Sequence, residues 1–216
     1  NRDRIGRVAE EARDAGADLA VFPEMCLTGY PPRDLLERPR FVAKNLEARD
    51  ALASRDHKAA LLFGFVDRNT SGIGKPLHNA AALCDGGRLV SVHHKRLLPT
   101  YDVFDEDRYF EPAREIAPVR FREETLGVTI CEDIWNDPDF IPIRPTRLYP
   151  DDPPVALVRA GARILVNIAA SPFTLPKREF RARMISGVAQ KHRVPLVFVN
   201  QVGGNDDLLF DGASVL

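Results

Sequence analysis

The sequence predicts a mixed α/β fold, and three observations carry that prediction. Short apolar runs, many of them rich in Val, Ile and Phe, alternate with longer segments whose apolar residues recur at helical spacing. Some neighbouring apolar runs are separated only by a short turn, so hairpins interrupt the alternation. Several of the apolar runs also end on a polar or reactive side chain, which is where α/β sheets place their ligands.

Ile5, Val8, Ala9 and Ala12 recur at helical spacing, and Gly16 is a plausible stop. Leu19 to Phe22 reads as a short buried strand ending at Pro23-Glu24. The charged stretch after Pro32 is helical, with a break at Pro39. "KAALLFGFVDR" is a strand. "LHNAAALCDGGRLVSVHHK" is a hairpin turning at Asp85-Gly86-Gly87. Arg96 to Pro112 is irregular, polar and aromatic, a kind of loop that is often functional. "IAPVRF" and "TLGVTI" are two further strands. Asn136 to Pro154 carries six prolines and reads as loop. Val155 to Ala160 is a short helix, "RILVNIAAS" a strand ending at Ser171, Lys177 to His192 an amphipathic helix and "PLVFVNQ" a strand. "LLFDGASVL" opens a last hairpin. No internal repeat or domain boundary stands out.

The 216 residues are 44% hydrophobic and 28% charged, an ordinary globular composition. The net charge of −1, with Lys and Arg spread along the chain, gives no basic footprint for nucleic acid. No apolar run approaches the ~18 residues of a membrane span, and no signal-peptide pattern is present. Cys26, Cys84 and Cys131 are few, odd in number and far apart, which argues for a reducing, cytoplasmic setting rather than a disulfide framework. No spacing suits a structural zinc site. The chain starts without methionine on a helical pattern and stops within what reads as a strand pair, so both ends are expected to be trimmed from something longer.

The candidate chemistry lies at strand ends. Val21-Phe22-Pro23 delivers Glu24, Val90 to His94 delivers Lys95, and Val128 to Ile130 delivers Cys131. A thiol needs a base to become thiolate, and a nearby cation favours the thiolate. Glutamate can be that base, while lysine can stabilise the thiolate and then a substrate oxyanion. Glu132 and Asp133, crowded against Cys131, would raise the thiol pKa by repulsion, and Lys95 is the cation available to offset them. Cys26 and Cys84 lack such company and read as core. His93 and His94 alternate on a strand, so at most one faces any site. Ser171 can equally cap a turn before Pro172, Lys177 can simply be on a solvated helix face, and Trp135 reads as packing. "SGIGKP", Ser71 to Pro76, lacks the first glycine of a phosphate loop and has Pro76 where Ser or Thr belongs, so it reads as a loop tip.

"FPEMCLTGYPPRDLL", "HHKRLLPTYDVFDEDRYFEP", "GVTICEDIW" and "NQVGGNDDLLFDG" resemble the nitrilase superfamily of carbon-nitrogen hydrolases, and more narrowly the glutamine amidotransferase domain of glutamine-dependent NAD+ synthetases. The resemblance covers nearly the whole chain. It implies a nitrilase-like α-β-β-α sandwich, two mixed sheets flanked by helices, over residues 1–216 as one incomplete domain. It implies Glu24 as general base, Cys131 as the nucleophile that forms a γ-glutamyl thioester, Lys95 as stabiliser of the tetrahedral intermediate and Glu106 beside the lysine. Tyr101, Glu132, Ser171 and Lys177 match substrate-side positions, the last two for the α-amino and α-carboxylate groups of glutamine. The amidase step needs no metal or cofactor. ATP and Mg2+ belong to a synthetase domain whose pyrophosphatase-type loop this sequence lacks. L-glutamine, that synthetase domain and further copies of the chain in a homo-oligomer are the implied partners. Pro176 and Ala113 stand where relatives have Gly. The rival readings are a stand-alone amidase or carbamoylase acting on another small amide, and an assembly module without turnover.

Overall fold

The computed structural model describes residues 1–140, 146–175 and 177–216. The expectation attached to Pro176, and part of the proline-rich loop, lie outside the described residues. Among the described residues, ten strands and four α-helices follow one another as α1 (Arg2–Asp14), β1 (Leu19–Val21), α2 (Pro39–Ala53), β2 (Ala60–Arg68), β3 (Leu77–Asp85), β4 (Arg88–His94), β5 (Val119–Phe121), β6 (Glu124–Ile130), α3 (Pro153–Arg159), β7 (Ile164–Ala169), α4 (Lys177–His192), β8 (Leu196–Asn200), β9 (Val202–Asn205) and β10 (Leu208–Asp211).

These strands form two mixed four-stranded sheets, ordered β1-β2-β3-β4 and β5-β6-β7-β8, and a separate β9-β10 hairpin. Because β3 runs against both β2 and β4, the strands β1, β2 and β4 share one direction. In the second sheet β6, β7 and β8 are parallel. Each sheet therefore presents several carboxyl ends at a common edge.

The side-chain period of two separates the layers. Leu61, Phe63, Phe65, Ala80 and Ala82 turn outward onto Ile5 and Ala9 of α1 and Leu52 and Ala53 of α2. Their neighbours Leu62, Ala81 and Leu83 turn inward and join Val128, Ile130, Val166 and Phe198 of the second sheet, in a core that continues to Leu157 of α3 and Met184, Ile185 and Val188 of α4. Strands so buried on both faces read as continuous apolar runs rather than alternations. The result is the expected α-β-β-α layering.

Most elements stand where the residues predict them. Pro39 is the first residue of α2, where its missing N–H costs nothing. Arg33–Glu37 before it winds as a 3-10 turn rather than an α-helix. Gly86 and Gly87 both have positive φ, which the tight β3-β4 turn requires. The last hairpin departs from expectation. Its first strand is Val202–Asn205, pairing with Leu208–Asp211, whereas "LLFDGASVL" was expected to supply the opening strand. Two consecutive glycines and four exposed residues hide β9 from any periodicity argument. Val215 instead returns to bridge Phe198 at the edge of the second sheet.

Candidate active site

The carboxyl edges of the two sheets meet at Glu24, Lys95 and Cys131. Glu24 follows β1 through Pro23. The Ala170 backbone N–H, one residue past β7, donates to Glu24 Oε2 at 2.8 Å. Lys95 follows β4, and its Nζ donates to Glu24 Oε1 at 2.9 Å and to Glu106 Oε1 at 2.8 Å. All three side chains are buried: Glu24 is 0%, Lys95 1% and Glu106 4% exposed.

Three buried charges are tolerable only when paired and hydrogen-bonded. The pairing is supplied in part by residues that the sequence motifs leave without a role. Tyr30 O–H donates to Glu106 Oε1 at 2.8 Å, and Asn79 Nδ2 donates to Glu24 Oε1 at 2.6 Å and Glu106 Oε2 at 3.2 Å. Burial would lower the Lys95 pKa, but the Glu106 and Glu24 carboxylates outweigh it and hold the ammonium well above the usual lysine range. Burial pushes Glu106 up, against the pull of Lys95.

Glycine at one position makes this geometry available. Gly64 of β2 lies against the turn that carries Glu24. A Cβ there would stand 2.6 Å from the Pro23 carbonyl oxygen and would overlap Met25 N. The Gly64 N–H donates to Pro23 O at 3.2 Å, and Leu27 N–H returns a bond to Gly64 O at 3.3 Å.

Cys131 opens a 3-10 turn, Cys131–Ile134, directly after β6. Its φ of +45° lies in the left-handed region that a residue with a side chain seldom occupies. Asp133 holds this turn. Its Oδ2 accepts the Ile130 N–H at 2.9 Å, while Oδ1 accepts the Arg96 and Leu97 N–H groups at 3.0 and 2.9 Å. One carboxylate thus fastens the turn of the thiol to the loop of the lysine. Burial raises the Asp133 pKa to about 6.

Burial first, then the Glu24 carboxylate, push the Cys131 thiol well above its usual range, with Lys95 pulling the other way. The expectation that Lys95 offsets the nearby acids is therefore met only in part, because burial adds a cost that local sequence does not display. Burial and the neighbouring carboxylates thus favour the protonated thiol over the thiolate.

The residues expected on the substrate side divide. Glu132 is buried and accepts Tyr101 O–H at 2.9 and 2.8 Å on its two oxygens. Tyr149, from the proline-rich loop, donates to Glu132 Oε1 at 3.2 Å. No sequence signal marked Tyr149. The Lys177 ammonium stands 5.6 Å from the centre of the Trp135 ring, and its pKa is lowered, chiefly by burial, with Cys131 and Glu132 acting in the opposite direction. Lys177 is half-buried against that ring rather than fully solvated. Ser171 is 2% exposed; its backbone N–H donates to Asn200 Oδ1 at 2.8 Å and its carbonyl accepts from Asn200 Nδ2 at 3.2 Å. Ala113 packs against Lys95, its N–H donating to Lys95 O at 2.8 Å, and it has no positive φ that would call for glycine.

The remaining candidates go elsewhere. His94 pairs with Asp67 at 3.0 Å and stacks on His78, and His93 meets Ser91 at 2.9 Å. Cys84 lies in the core and Cys26 Sγ contacts Gly64 O at 3.4 Å. Trp135 packs on Phe180 and beneath Lys177. Among the described residues, no group of three His, Cys, Asp or Glu side chains is placed to hold a metal ion, and no helix is long and apolar enough to cross a membrane.

A buried carboxylate-lysine cluster beside a strand-end cysteine gives this α-β-β-α sandwich the groups that thiol-dependent amide hydrolysis requires. The chain belongs to the carbon-nitrogen hydrolase family, whose model matches residues 1–144. It is 43% identical over 218 residues to the glutamine-dependent NAD+ synthetase of Synechocystis sp., covering 99% of this chain and 38% of that protein. The glutamine-dependent NAD+ synthetase of Acinetobacter baumannii, solved in complex with adenosine diphosphate, superposes with a TM-score of 0.86 at 32% identity, over 99% of this chain and 37% of that one. An amidase from Nesterenkonia sp. shares the fold, with a TM-score of 0.81 at 22% identity over 100% of this chain and 74% of that one. The chain thus spans little more than a third of the length of the synthetases it matches.

Proposed function

We propose that this chain hydrolyses the side-chain amide of L-glutamine through a Cys131 thioester and supplies the ammonia to a synthetase domain that amidates deamido-NAD+. The observation that carries this reading is the solvent-sealed Glu24-Lys95-Glu106 cluster at the sheet edge where Cys131 also sits. Residues 1–216 act as the glutaminase portion of that larger enzyme, in keeping with the similarity to full-length synthetases.

The steps follow from the charges. Glu24 takes the Cys131 proton as the sulfur attacks the amide carbon. The ammonium of Lys95, held by Glu106, stabilises the oxyanion of the tetrahedral intermediate. Glu24 returns the proton to the nitrogen, the C–N bond breaks and ammonia leaves. Water, deprotonated by Glu24, then attacks the thioester; the C–S bond breaks, glutamate is released and the thiol regains its proton. Glu132, held by Tyr101, faces the α-ammonium of the substrate. Lys177 and the Ser171 segment serve its α-carboxylate. ATP and Mg2+ act in the synthetase domain. The enzyme works in the cytoplasm as a homo-oligomer.

Brief incubation of the full-length protein with 6-diazo-5-oxo-L-norleucine, followed by intact mass and peptide mapping, tests this. One adduct on Cys131, prevented by glutamine, is expected. A titratable thiol that takes no adduct would overturn glutamine as substrate. Cys131→Ala should abolish glutamine use and leave ammonia-dependent synthesis; loss of both would contradict the division of labour.

A further inference from the structure

We propose that Asn79 is a positioning residue for the reaction, an uncharged bridge that keeps the two buried carboxylates apart and ready to accept a proton. The inference rests on the reading of Glu24 as base. Asn79 stands across from Lys95, whose backbone N–H donates to Asn79 O at 2.9 Å, so both side chains enter the cluster from adjacent backbones. Lys95 Nζ and Asn79 Nδ2 each bridge Glu24 and Glu106, and the four side chains close a ring.

The chemistry of the amide fixes its direction. Both carboxylates are acceptors when ionised, so the NH2 group must face them. The reverse orientation would set the carbonyl oxygen against two anions. The consequence is visible on the far side of the amide: Asn79 Oδ1 is buried with no hydrogen-bond partner among the described residues. Asn79 itself is 1% exposed. A fold that orphans a buried acceptor gives up stability. What it obtains here is two N–H bonds on two anions that share a single cation.

That sharing is the difficulty Asn79 relieves. Two carboxylates and one ammonium leave a surplus negative charge in the ring. A carboxylate beside another takes up a proton at higher pH, and one that accepts N–H bonds keeps its charge to lower pH. The groups facing the pair are Lys95 from the loop after β4, Tyr30 from the segment after β1, Cys131 from the turn after β6 and the Ala170 N–H after β7. Of these, Lys95 alone brings positive charge. Asn79 offers N–H bonds to both anions without adding charge, which a serine or aspartate at this place would not do.

The test is the pH dependence of Cys131 alkylation by iodoacetamide in the full-length protein, which needs no glutamine. Asn79→Ala removes both bonds, and Asn79→Asp keeps the shape while adding a third acid. The acid limb of the rate profile should move up by about one pH unit in Asn79→Ala and further in Asn79→Asp, with rates approaching the wild type at high pH. A uniform loss at every pH with an unmoved limb would indicate only a packing role and overturn the proposal, as would collapse of the fold in both variants. If Asn79→Ala alone does not fold, Asn79→Asp decides. A shifted limb in a protein that ignores glutamine would keep the role of Asn79 and overturn the substrate.

Discussion

The Asp133 carboxylate accepts the Leu97 backbone N–H at 2.9 Å, and through it the turn that carries Cys131 is fixed to the loop that carries Lys95. The same carboxylate also holds Arg96 N–H and Ile130 N–H. Asp133→Ala would leave three N–H groups without their acceptor. Since a buried donor left unpaired costs about 1–3 kcal/mol, the variant should lose at least about 3 kcal/mol in urea unfolding. Its Cys131 should also lose protection by glutamine before the fold is lost. A near-neutral variant would show that water replaces the carboxylate.

Asp133 also gives a pH signature. Burial raises its pKa to about 6, from a reference value of 3.8. The folded state holds that proton more tightly than the unfolded chain does, so the stability it contributes is fully present below about pH 4 and is lost as pH rises through about 6. At about 1.4 kcal/mol per pH unit, the stability of the wild type relative to Asp133→Asn should fall by about 2 kcal/mol between pH 4 and 7. A difference that grows with pH would mean the ionised carboxylate is the form the fold prefers.

Lys95 is ion-paired with two buried acids, so removing it should cost more than removing an ordinary surface lysine. Lys95→Met leaves Glu24 and Glu106 facing each other with only neutral donors around them. A loss of about 3–5 kcal/mol is expected, together with a fall of at least about 10²-fold in glutamine hydrolysis. Lys95→Met combined with Glu106→Gln should recover part of the stability and none of the activity. A double variant no more stable than the single one would contradict the charge argument.

Much of this site was legible in the sequence because three of its polar or reactive members end apolar runs. Glu24, Lys95 and Cys131 are each delivered by a strand, and the structure brings the first two within hydrogen-bond distance of each other. Glu106 lay in a loop and entered by resemblance; its contact with Lys95 depends on how that loop returns. Asn79 left a faint mark, a polar residue inside the apolar run "LHNAAALC". Tyr149 left none, since it reaches Glu132 from a proline-rich loop whose path no periodicity describes. The β9 strand was missed because two glycines and four exposed residues leave no alternation to read, and the left-handed backbone of Cys131 is a tertiary constraint that runs against local preference.

Gly64 is the position where the smallest change should do the most damage. It is on β2 with backbone, not flexible side chain, on the side where a Cβ would point. Gly64→Ala must therefore push the Pro23-Met25 turn away, and Glu24 moves with it. A destabilisation of about 3 kcal/mol or more is expected, as for other overpacked cores, with glutamine hydrolysis falling further than stability alone explains. Measuring hydrolysis at a temperature where the variant is still folded separates the two. Full activity in a folded Gly64→Ala chain would show that the turn has room the geometry does not display.

The last link joins the hairpin to the site. Arg181 of α4 is 1% exposed, and its Nη2 donates to both oxygens of Asp211 at 2.8 Å. Asp211 Oδ1 lies 3.4 Å from Asn200 Nδ2, and Asn200 clasps the backbone of Ser171, the residue after the Ala170 N–H that holds Glu24. A buried ion pair broken on one side leaves the other charge stranded, at about 3–5 kcal/mol. Arg181→Ala should thus destabilise the chain by that amount and speed amide hydrogen exchange across Val202–Asp211. Asp211→Ala should do the same, because it strands the arginine. In the double variant neither charge remains, so its loss should fall well short of the sum of the two single losses. If the two losses instead simply add, the pair does not act as a unit and the hairpin is held by its packing alone.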